Sequence, residues 1–489
     1  MLALLLGIEI TTLFLGIKSF GNKNNTLDDI KLLDNKSNNL FAIMVKDSSG
    51  NYNESSTFPN AAYKLNETMS SCIDNNGNKI DNVLSYSDGF VTANTNKTVY
   101  CYLYFDKDNS VYAKVLDDYE NNNGVKKTTD ENGKDVYYYT GNITNNNLVL
   151  NNYCWKMVRT TETDGVKLIY NGVYSDDTKC NNTGTNVYID SKGTAFNTIV
   201  YSPAYVGYMY GTVYMRSSKS ASSFGTYYYG SDVTWNGTTY TLSDAESGAI
   251  ADMYSKLSNK HYTCLSTSSS CSTIYYIYDM YSATDYALYI TLTGGKKIED
   301  ALDEMLNYNT TNSNIKTVID NWYSTNMINV TEYLENAIYC NNRHIKSLGG
   351  WNPSGGNIKS DMDFSISGLT CQDKEDQFTL KVNSGGTLGY GNNALDYPIG
   401  LLSYEEASLV NGGLDANYLN NSDTYWLINP CVFGGGSANG FAIYNGLEQI
   451  INLKATLGAR PAVSLSKKVK LSGEGNGTVE SPYILAPLD

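Results

Sequence analysis

The sequence predicts an α+β protein: an N-terminal membrane helix, a small all-β, sandwich-like module, and a larger domain that mixes hairpins with inserted helices. Three observations carry this reading. Residues 1–17, MLALLLGIEITTLFLGI, are apolar except for Glu9 and two Thr. From residue 41 short apolar runs alternate with Gly and Asn turns, the pattern of strands and hairpins. Between residues 296 and 323 the apolar spacing changes to that of amphipathic helices.

The 489-residue chain exceeds one ordinary core. It is 41% hydrophobic and 12% aromatic, which excludes a disordered chain. With 35 Lys+Arg against 50 Asp+Glu the net charge is −15, and such a surface repels a phosphate backbone, so nucleic acid is excluded as a partner. Tyr is heavily used, 43 residues against 12 Phe. This suits exposed strands and loops, and it also suits codon bias in an AT-rich genome.

None of the nine cysteines forms a CxxC pair, and there are two histidines, His261 and His344. A structural zinc site needs four converging ligands, so widely spaced cysteines behind an apolar start read as disulfides instead. The pairing expected is Cys72–Cys101, Cys154–Cys180, Cys264–Cys271 and Cys340–Cys371. It leaves Cys431 over as the free thiol, either buried and inert or reactive.

Residues 1–20 read as a signal-anchor or transmembrane helix and 21–40 as a polar linker. The alternative is a buried core helix. Residues 41–148 read as a disulfide-bonded β module. Its strands are 41–45, 91–105 and 111–116, and Asn76-Gly77 is a hairpin turn because a type I′ turn needs positive φ twice. Residues 149–489 form the second domain. It opens with a hairpin, 153–161 and 166–172, around Asp164-Gly165. On its first strand Trp155, Met157 and Arg159 share one face, and Lys156 and Val158 the other. Residues 296–308 and 313–323 read as helices, the latter capped by Ser313 with Ile315, Val318, Ile319 and Trp322 as its core stripe. Ser403 with Glu406 is a capping box that starts a third helix. The stretches 425–429, 440–446 and 460–465 read as strands.

The ordered segments CWKMVRTTETDGVKLIYNG, YVGYMYG, IKTVIDNWY, YCNNRHI, YPIGLLSYEEA, YWLINP, GARPAVSL and GNGTVESPYIL resemble a family of uncharacterised surface proteins of low-GC Gram-positive bacteria. The C-terminal domain of that family resembles the C-type-lectin-like fold shared with formylglycine-generating enzymes. The resemblance implies that Tyr425, Trp426, Asn429, Phe441, Tyr444 and Arg460 lie on core strands near ligand-bearing loops. Asn429 and Cys431 depart from the family pattern.

The residues themselves add Trp351, between flexible glycines, as an aromatic for binding or for core docking. The Tyr runs at 227–229 and 275–278 are candidates to stack sugars or to form half-solvated strands. Asp106 with Asp108 and Asp361 with Asp363 are too sparse for a calcium loop, so no cofactor is expected. The reading is a membrane-anchored extracellular binding protein, adhesin-like, for a glycan or protein on a host or neighbouring cell. One alternative is an exported thiol-dependent enzyme using Cys431, or Cys340 beside His344. The other is a structural envelope component.

Overall fold

The computed structural model describes residues 17–18, 40–200, 203–211, 232–241, 261–264, 274–277, 307–343, 358–359, 369–381, 390–411, 417–419, 424–434 and 437–488, less a few single positions and pairs within them. The chain forms two compact units, Met1–Val125 with Lys470–Gly473, and Lys126–Val469 with Glu474–Asp489.

In the first unit the strands are β1 Leu40–Lys46, β2 Tyr52–Ser55, β3 Tyr63–Leu65, β4 Ser71–Ile73, β5 Lys79–Ile80 and β6 Tyr100–Lys107, arranged β2-β1-β6-β4-β5 with β3 also paired to β6. Strand β6 alternates strictly: Cys101, Leu103 and Phe105 point into a core with Phe41, Ile43 and Cys72. Cys72 and Cys101 are direct cross-strand partners and form a disulfide. The turn between β4 and β5 uses Gly77 at φ +82°, with the Asp74 carboxylate accepting from the Asn76 and Asn78 amides; Asn76 does not take positive φ, so the turn is not the type I′ turn expected there.

Residues 111–116, read above as a strand, instead begin helix α1, Val111–Glu120. Ser110 Oγ accepts from Ala113 N at 3.1 Å, and Lys114 pairs with buried Asp118 one turn on. Val111, Val115 and Asp118 are buried at i, i+4 and i+7. The short apolar run hid a period that shows only when the acidic continuation is included. The first module is therefore not all-β.

In the second unit the strands are β7 Val125–Thr129, β8 Asp135–Tyr139, β9 Asn147–Leu150, β10 Tyr153–Thr160 and β11 Val166–Val173. Helix α2, Asn314–Asn326, strand β12, Ile399–Gly400, and helix α3, Tyr404–Asn411, follow. Further strands include β13 Tyr425–Gly434, β14 Ser437–Tyr444, β15 Leu447–Asn452, β16 Ala462–Leu465 and β17 Tyr483–Ile484. The main sheet runs β7-β8-β10-β11-β16-β12, with β9 paired to β10 and, in parallel, to β17. A second sheet runs Ile358–Lys359, β13, β14, β15. Helix α2 has its Ser313 cap, with Oγ accepting from Lys316 N. Its buried face is turned from the expected stripe: Ile315, Ile319 and Tyr323 are buried, while Val318 and Trp322 are half-buried.

The chain is mostly β with few helices, which corrects the α+β, C-type-lectin-like expectation. Among the described residues no helix is long and apolar enough to cross a membrane. The expected N-terminal membrane helix is thereby unsupported, and the described end of that apolar run, Ile17–Lys18, pairs as a strand with Val91 and Phe90. Most of the expected helix at 296–308 lies outside the described residues.

Candidate functional site

The second unit carries a cluster of buried charges where β10, β11 and the start of α3 meet. Its origin is a bulge. Met157 pairs with Leu168, but Arg159 pairs with Lys167, so Val158 is the extra residue. Arg159 thus leaves the face of Trp155 and Met157 and joins that of Lys156 and Lys167, which corrects the alternation read from sequence. Two cations become cross-strand neighbours, an arrangement that is repulsive unless an anion intervenes.

Glu406 is that anion. Arg159 Nε donates to its Oε1 at 2.6 Å and Lys167 Nζ donates to the same oxygen at 2.7 Å. Its other oxygen completes the capping box: Ser403 N donates to Oε2 at 2.9 Å, and Glu406 N donates to Ser403 Oγ at 3.1 Å. Arg159 Nη1 also donates to Thr160 O, and Lys167 Nζ to Ile338 O while lying 4.7 Å from the Tyr339 ring centre. Burial pushes the Glu406 carboxyl up, but the attraction of Lys167 and Arg159 outweighs it and holds the group at about 2. Burial pulls Lys167 below its ordinary value against the pull of Glu406. Burial raises neighbouring Glu405.

These groups line a polar recess of about 30 Å³, room for one or two waters. Asp130 and Glu162 stand at its wall with the Cys340–Cys371 disulfide. Chemically the recess is committed to itself. The Glu406 carboxylate is neutralised by two cations, the Ser403 hydroxyl accepts from a backbone amide, and both sulfurs are bonded to each other. Among the described residues no group of three or more His, Cys, Asp or Glu is placed to hold a metal.

The residues expected to bind ligand are mostly buried. Tyr425, Trp426, Asn429, Phe441 and Arg460 are buried. Trp426 Nε1 donates to Thr194 O at 2.8 Å. Arg460 donates to Tyr170 O and Asn171 Oδ1 and lies over the Tyr425 ring. Asn429 Oδ1 accepts from Tyr404 N at 2.6 Å, and Phe441 packs on Tyr404. These contacts position α3 and the sheets, and they leave no ring face for a ligand. Tyr444 is the exposed member, at 43%. Trp351, His344 and the Tyr runs at 227–229 and 278 lie outside the described residues. So does Cys271, and with it the Cys264–Cys271 pair. Cys340 is bonded to Cys371, so it is no thiolate for His344. Cys431 is a buried thiol that burial pushes up to about 11. Cys154–Cys180 is the third described disulfide.

Sequence reasoning found Glu406 as a cap but missed its partners, because only the bulge brings Arg159 beside Lys167. It also missed the outer face of β6 in the first unit. There Tyr100, Tyr102, Tyr104 and Asp106 alternate outward, with Tyr100 and Tyr102 37% and 43% exposed. The alternating YCYLYFD run was its signal.

Compared with family models, curated proteins and solved structures, the chain matches none.

Proposed function

We propose that this chain is an exported, disulfide-stapled binding protein that works outside the cytoplasm and recognises a glycan or protein on another cell. The observation that carries the reading is the set of three disulfides among the described residues, present in both units. Such bonds persist in oxidising compartments and are rare where glutathione keeps thiols reduced. Binding is favoured over catalysis because the buried charges pair with each other and the Cys431 thiol is held protonated.

The test is direct. The full chain, labelled with a fluorophore, is applied to a glycan array and to intact bacterial and epithelial cells, untreated or treated with protease or periodate. Saturable binding abolished by one of the two treatments supports the reading and separates protein from glycan. Uniform background binding to every cell type and every glycan sinks it.

A further inference from the structure

Strand β6 lies inside its sheet, between β1 and β4, and its two faces differ in kind. The inward residues are Cys101, Leu103 and Phe105, all fully buried. The outward ones are three tyrosines and an aspartate. Same-face residues on a strand are about 7 Å apart, so the three rings form a straight row. The register sets what flanks them. Tyr102 stands between Ala42 and Ser71, side chains too small to cover it. Tyr104 is met edge-on by Tyr52, with ring centres 5.0 Å apart.

The row ends in a fixed polar cluster. Tyr52 OH donates to Asp106 Oδ1 at 2.6 Å, Asn66 Nδ2 donates to Oδ2 at 2.7 Å, and Lys46 Nζ lies 3.2 Å from Oδ1. Asp106 and Lys46 cancel, so this end is neutral though polar. On the buried face beneath the rings, the Cys72–Cys101 disulfide pins β6 to β4, which reduces the ordering cost on binding.

Resting on the binding reading above, we propose that this outer face is a glycan-binding platform for an extended, uncharged polysaccharide chain. Tyrosine offers a flat apolar face to the C–H side of a sugar ring and a hydroxyl to its rim. A few placed polar groups fix orientation at one end. Charge selects within the class. A chain of net charge −15 repels polyanions, and the cluster at the end of the row offers no net positive charge to recruit one.

The experiment is affinity electrophoresis of the full native chain through gels containing xyloglucan, galactomannan, mixed-linkage β-glucan or soluble chitosan-free glycol chitin, with hyaluronan as the polyanion. The variants are Tyr100→Ser/Tyr102→Ser and Tyr102→Phe. Near-UV circular dichroism and an intact Cys72–Cys101 bond by mass spectrometry establish that each is folded. The expected result is retardation by at least one neutral glycan, weakened about ten-fold or more in the double variant and largely kept in Tyr102→Phe. Equal retardation of wild type and double variant overturns the platform and leaves the binding reading standing on another surface. No retardation by any of the four neutral glycans also overturns it, and the cell-binding result then judges the broader reading. Stronger retardation by hyaluronan overturns the assignment to an uncharged ligand.

Discussion

Arg159 and Lys167 are direct cross-strand partners, and both donate to one oxygen of a single carboxylate, that of Glu406. The pairing exists because a bulge at Val158 turned Arg159 to the Lys167 face. It makes the strength of the second unit depend on a residue whose sequence role is merely to cap a helix.

Glu406→Gln is expected to destabilise the second unit by about 3–5 kcal/mol, because it leaves two buried cations without their anion. Ser403→Ala removes one capping hydrogen bond and is expected to cost about 1 kcal/mol. Guanidinium unfolding followed by tryptophan fluorescence reports this unit, since Trp155, Trp322 and Trp426 lie in it. Equal costs for the two variants would show that the ion cluster contributes nothing beyond the cap.

Stability should peak in mild acid. Glu406 is depressed to about 2, so its contribution is present above the ordinary glutamate value and is lost as pH falls towards 2. That loss is on the order of 3 kcal/mol. Burial raises Asp320, Glu335, Asp376 and Glu448. Each of these contributes below its unfolded value and loses that contribution as pH rises through its folded one. Urea midpoints measured from pH 2 to 8 should rise from pH 2 to about 4.5 and decline above it. In Glu406→Gln the rise at the acid end should disappear, and its persistence would assign acid sensitivity elsewhere.

Cys431 should resist alkylation in the native chain. With its thiol pushed up to about 11, the thiolate at pH 8 is about one molecule in a thousand, and reaction should be roughly a hundred-fold slower than at an exposed cysteine. Iodoacetamide labelling read by peptide mass spectrometry should mark Cys431 only after denaturant is added. Rapid native labelling would return it to the list of reactive groups.

Removing the bridge on β6 should weaken the first unit alone. Cys72 and Cys101 are separated by 29 positions, a loop whose closure is worth about 2–4 kcal/mol. In Cys72→Ala/Cys101→Ala, amide exchange should accelerate across residues 40–107 and stay unchanged in β10 and β11. Faster exchange in β10 and β11 as well would overturn this and make the two units unfold together.

What the sequence made legible was local. The Ser313 and Ser403 caps and the glycine turn at Gly77 each depend on residues within a few positions, and each is present. What stayed hidden needed distant partners. The rotation of α2 came from Tyr323 being buried in place of Trp322, which instead lies at the edge of an aromatic cluster with Tyr153, Trp155 and Tyr170. Strand 111–116 became a helix because its cap and its acidic last turn lay beyond the apolar run. The apolar strands 425–429 and 460–465 were sound as strands, yet sequence could not separate a core tyrosine such as Tyr425 from an exposed one such as Tyr102. Strand alternation is the same in both, and only the second layer decides which face is covered.

The parallel pairing of β17 with β9 joins residues more than three hundred positions apart, and Gly477 O accepts from both Asn147 N and Asn147 Nδ2. The first unit has the same dependence, since Lys470 bridges Ser110 and Leu471 N donates to Asn109 O. Neither unit can therefore complete its fold until residues beyond 470 have emerged from the ribosome. Closing loops of that length is slow. Synthesis thus leaves a long interval in which neither unit has its last partner strand or bridge in place.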